Sequence, residues 1–76
     1  MLIKMEFVVG ALRITADTLN SRSLKIIDIP RDEAALFIDE DCNGSIENLL
    51  NKLKYDKASD TLFLMSDTYE AMFEEN

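Results

Sequence analysis

The sequence predicts a single compact α+β domain over residues 1–76: a small antiparallel sheet of about four strands with two helices packed on one face. Three observations carry that expectation. Ile3, Met5, Phe7 and Val9 alternate with Lys4, Glu6 and Val8, the period of a half-buried strand. Ile46, Leu49, Leu50 and Leu53 sit at i, i+3, i+4 and i+7, the stripe of an amphipathic helix. The chain is 47 % apolar, enough for a packed core, yet at 76 residues it is near the size where one core only just suffices.

After the first strand, Gly10 marks a bulge or a turn. Residues 11–20 read two ways. Leu12, Ile14 and Ala16 alternate as in a strand, whereas Leu12, Thr15, Ala16 and Leu19 keep helical spacing; the strand is the preferred reading. Asn20 to Ser23 form a turn on composition. Leu24 to Ile29 is short and β-branched, hence a strand. Pro30 suits the second position of a type I turn, which would return Ala34 to Asp39 as an antiparallel strand. The competing reading starts a helix at Pro30 and runs it through Phe37, because Pro is tolerated in the first turn and Glu33, Ala34 and Leu36 are good helix formers. The hairpin is placed ahead of that helix.

Ser45 is the expected N-cap of the striped helix, with Glu47 in its first turn and Lys52 and Lys54 near its last, as the macrodipole favours. Tyr55 to Asp60 reads as a polar connection and Thr61 to Met65 as a buried strand. A last helix is expected over Asp67 to Glu75, capped by Ser66, with Tyr69, Met72 and Phe73 on one face. A start at Asp60 would also keep Leu62, Met65, Tyr69 and Met72 at helical spacing. Glu74 and Glu75 would oppose the dipole at the end of that helix.

Composition excludes several chemistries. Without histidine there is no Ser-His-Asp or Cys-His catalysis and almost no route to a zinc site. Cys42 is the lone cysteine, and its neighbours Asp39, Glu40 and Asp41 disfavour a reactive thiolate. Gly10 and Gly44 make no phosphate-binding loop, and so small a chain has little volume for a substrate pocket. An enzyme is not expected, nor a cofactor. No apolar run approaches the length of about 20 residues that spans a bilayer. The N-terminal apolar stretch is interrupted by Glu6 and ended by Arg13, so a signal peptide is rejected and a cytoplasmic location expected.

Charge is the most informative property. Residues 1–31 hold five basic and three acidic groups, a balance of +2. Residues 32–76 hold three basic and twelve acidic groups, a balance of −9. Such a field repels nucleic acid and anionic membranes and attracts basic protein surfaces. The candidate partner-binding carboxylates are Asp32, Glu33, Asp39, Glu40, Asp41 and Glu47, with Asp67, Glu70, Glu74 and Glu75 as a second patch. Carboxylates on a rigid surface can stand in for backbone phosphates in the basic cleft of a nuclease or another nucleic-acid-binding protein. Small phage- or mobile-element-encoded inhibitors of host defence, anti-CRISPR proteins among them, are similar in size and charge, a likeness of class without a shared motif. The alternative is a structural or oligomerising domain, acidic for solubility only, that meets its neighbour through Met72 and Phe73.

One local pattern points elsewhere. Asp39-x-Asp41-x-Asn43-Gly44-x-Ile46 resembles the first eight positions of an EF-hand calcium loop. The resemblance implies oxygen ligands at Asp39, Asp41 and Asn43, the turn glycine at Gly44 and the apolar anchor at Ile46. The twelfth position, which supplies two oxygens in that family, is Leu50 here, so the implied calcium module is a weak one.

Overall fold

A computed structural model describes residues 1–19 and 24–65, together with the backbone of 73–75. Strands β1 (Leu2–Val8), β2 (Ala11–Asp17) and β3 (Lys25–Pro30) form an antiparallel sheet in that order. Gly10 closes the β1–β2 hairpin at φ +76°, a left-handed conformation that a residue with a side chain rarely adopts. Its carbonyl accepts the Arg31 N–H at 3.0 Å. The register sets Met5 opposite Ile14 and Ile14 opposite Ile27, so one face collects the apolar residues of all three strands. Leu12, Ile14 and Ala16 are buried, which settles residues 11–17 as strand. Phe7 lies on the same face as Leu12 but remains 67 % exposed at the sheet's edge.

The chain does not return as a strand after Pro30. It forms helix α1 (Arg31–Glu40), with Pro30 extended at the N-cap position, φ −50° and ψ 139°. The physical reason lies in which residues the core accepts. A strand over Ala34–Asp39 would bury alternate residues, whereas Ala34 and Phe37 are buried and Ala35 and Leu36 exposed, a helical period. Good helix formers and a φ already fixed by proline favour the same outcome. The buried side of α1 packs on β2 and β3.

Helix α2 (Ile46–Lys52) starts as its sequence dictates, with Ser45 Oγ accepting the Asn48 N–H at 3.3 Å. It ends one residue before the apolar stripe does. Leu53 is already extended, at ψ 121°, and opens strand β4. Leu49 is fully buried, Leu50 half-buried and Ile46 46 % exposed, so the expected four-residue stripe is divided between helix and strand.

Strands β4 (Leu53–Asp56), β5 (Thr61–Leu64) and β6 (Phe73–Glu75) make a second antiparallel sheet in that order. The fold is α+β, but the single sheet of about four strands is replaced by two sheets of three. Tyr55 and Asp56 belong to a strand rather than to a connection. Phe73–Glu75 pairs with β5 rather than ending a helix. Pairing covers a β5 edge that would otherwise expose open backbone groups, and it spares Glu74 and Glu75 an unfavourable helix terminus. The rest of the expected last helix, from Asp67 through Met72, lies outside the described residues, as does its Ser66 cap. Sheet β4–β6 lies against β3, and Ile14, Ile29, Leu49, Leu62 and Leu64 close one continuous core. No described helix is long and apolar enough to cross a membrane.

Candidate functional site

The first six candidate carboxylates fall on α1, α2 and the turn between them. Asp32 and Glu33 occupy the first turn of α1, where carboxylates suit the helix dipole. Asp39 and Glu40 occupy its last turn and Asp41 its C-cap, and no basic residue stands there. Glu47 is in the first turn of α2. Asp32, Glu33, Asp39, Glu40 and Glu47 are exposed. Among the described residues the ion pairs are Lys4–Glu6, Arg13–Asp28 and Lys25–Asp60, and none involves these six carboxylates.

The helix period brings some of them together. Asp32 and Asp39 are seven residues apart, about 10 Å along the axis, on one face. They flank Ala35, Leu36 and Ile38, and with Gly44 these residues line an open groove of about 520 Å³. The groove therefore has an apolar floor and an acidic rim. Of the second patch, Glu74 and Glu75 stand on β6 opposite Phe63 and Leu62, while Asp67 and Glu70 lie outside the described residues.

The turn that resembles a calcium loop is built mostly by backbone bonds. The Asp41 and Cys42 N–H groups donate to Phe37 O, and the Gly44 N–H donates to Ile38 O at 2.7 Å. Asn43 and Gly44 both adopt positive φ, 52° and 75°. Asn48 Nδ2 donates to Cys42 O at 2.9 Å, and Cys42 is fully buried in the core. Asp39 faces the groove, whereas Asp41 Oδ2 is buried with no hydrogen-bond partner among the described residues. Among the described residues no three acidic, cysteine or histidine side chains cluster to hold a metal.

A second polar cluster was missed from sequence. The Lys25 ammonium pairs with Asp60 Oδ2 at 3.0 Å although Lys25 is only 5 % exposed. Tyr55 donates its phenol to Asp60 Oδ1 at 2.6 Å, and buried Thr18 bonds the same phenol. The bond to Asp60 favours the protonated phenol and pushes Tyr55 above its ordinary range; burial acts the same way. This cluster ties the start of β3 to the β4–β5 turn. Its signal was legible: Lys25 shares the inward parity of Ile27 and Ile29, and a lysine on an apolar face needs an acid.

On the outer face of the first sheet, Arg13 grips Asp28 through Nε at 2.8 Å and Nη2 at 3.0 Å. The bond holds the Asp28 carboxyl below its ordinary range and raises Arg13. Glu6 stands opposite Arg13 on the other side. Comparison with protein-family models, with curated proteins and with solved structures found no match.

Proposed function

We propose that the chain is a small acidic protein-binding module, an inhibitor or adaptor, whose α1–α2 segment occupies a basic, nucleic-acid-binding surface of a partner protein. One observation carries the reading. Asp39 and Glu40 stand exposed at the negative end of α1, with Asp41 at its C-cap, and no cation lies beside them among the described residues. Carboxylates at a helix C-terminus are unfavourable. A cation supplied from outside would relieve this charge, which supports the reading. The acidic rim and apolar floor of the groove suit a basic surface with an apolar residue at its centre, the usual anatomy of a protein contact.

The test is capture of a partner from cell lysate by the wild-type chain and by the double variant Asp39→Asn, Glu40→Gln. The proposal expects a basic protein retained by wild type, lost with the variant, released by salt and displaced by duplex DNA. A partner held equally by both chains and indifferent to DNA would overturn it.

A further inference from the structure

We propose that two copies of this chain join through β1, edge to edge and antiparallel, into one continuous six-stranded sheet centred on Met5. β1 is an edge strand of seven residues, paired on one side with β2 in an unbroken register. Among the described residues no strand pairs with its other edge, and no proline or bulge blunts it. Leu2, at 68 % exposure, and Phe7 lie on it uncovered.

The charges select the occupant and the register. A two-fold axis perpendicular to the sheet keeps both cores on the same side, so opposed residues must share a face. Centring on Met5 sets Lys4 against the partner's Glu6, Ile3 against the partner's Phe7 and Leu2 against the partner's Val8. Centring on Lys4 or Glu6 instead would oppose like charges, which is unfavourable. The Met5 register also continues a pattern already present. Across the outer face, Asp28, Arg13 and Glu6 stand opposite one another in alternating sign, and the partner's Lys4 becomes the next member of that row. The ion pair Lys4–Glu6 within one strand, at 3.6 Å, is open enough to share its charges with a second copy. The contact is small for a protein interface, so the dimer is a weak one. It is independent of the acidic α1–α2 surface.

Sedimentation velocity of the full chain, from low micromolar to several hundred micromolar, reads the association directly. The expected result is a concentration-dependent dimer. Lys4→Glu and Glu6→Lys, each alone, put like charges opposite at two symmetric positions and weaken it about tenfold or more. An equimolar mixture of the two variants restores it, because each then carries the charge that its partner lacks. Hydrogen exchange on the wild type gives a second readout without mutation: the outward β1 amides slow as concentration rises. A wild type that stays monomeric throughout, a dimer unaffected by Lys4→Glu, or a mixture that fails to associate would each overturn the proposal.

Discussion

The first sheet and the helical segment after it handle charge in opposite ways. Lys4, Glu6, Arg13, Lys25 and Asp28 of β1–β3 each have an opposite charge between 2.8 and 3.6 Å away. On α1 and α2, Asp32, Glu33, Asp39, Glu40, Asp41 and Glu47 have none among the described residues. Yet both regions bury a comparable apolar side, Leu12, Ile14 and Ile29 in one and Ala34, Phe37 and Leu49 in the other. The difference separates charge paired within the fold from charge left without a counter-ion in it. In the sheet, removing one partner strands the other. In the helical segment, apolar contacts, the Ser45 cap and backbone hydrogen bonds hold the elements down, without an ion pair among the described residues.

The largest test of that contrast is Leu49→Ala, which removes a fully buried side chain and is expected to cost about 2–5 kcal/mol. Ile46→Ala, in the same helix but exposed, should change stability by less than about 0.5 kcal/mol. Urea denaturation distinguishes them, and similar losses would mean that the stripe packs as a whole. Next comes Asp60→Ala, which leaves the Lys25 ammonium buried and the Tyr55 phenol without its acceptor. The expected loss is about 3 kcal/mol, the low end for orphaning a buried ion, because Asp60 is itself half exposed. Thermal melting of Glu47→Ala, the acidic-segment counterpart, should be almost unchanged. Ser45→Ala removes the α2 cap and should cost about 1 kcal/mol.

A smaller effect separates the regions by pH. The Arg13 bond lowers the Asp28 pKa in the folded chain. Between that value and the unfolded one, about 3.9, the unfolded chain binds the proton and the folded chain does not. Stability therefore rises with pH through this window; the contribution is complete above it and lost as pH falls through the folded value. Urea titrations from pH 2 to 6 should show a shallower acid limb in Asp28→Asn than in wild type. Identical limbs would remove Asp28 from the set of fold-serving charges.

What the sequence disclosed follows from locality. The Ser45 cap needs only its own next turn, and the alternation of β2 needs only its own residues, so both were legible. So was the partition of charge between residues 1–31 and 32–76. Segment Ala34–Asp39 was not, since a short apolar run suits helix or strand until the sheet selects Ala34 and Phe37. Leu53 satisfies both the helical stripe and the inward alternation with Tyr55, which hid the end of α2. Phe73–Glu75 became a strand because of β5, a partner that no local pattern announces. In the candidate surface, the acidic residues were legible individually, but the groove between Asp32 and Asp39 required knowing that α1 is a helix.

The carboxylates at the C-terminal end of α1 oppose its dipole, so removing them should not weaken the fold. Urea denaturation of the variant Asp39→Lys, Glu40→Lys at low ionic strength tests it most directly. With cations in place of anions at the negative end of the helix, the account predicts a gain of about 0.5–1 kcal/mol that shrinks as salt is added. A loss of about 1 kcal/mol or more, insensitive to salt, would show instead that these carboxylates hold the fold together.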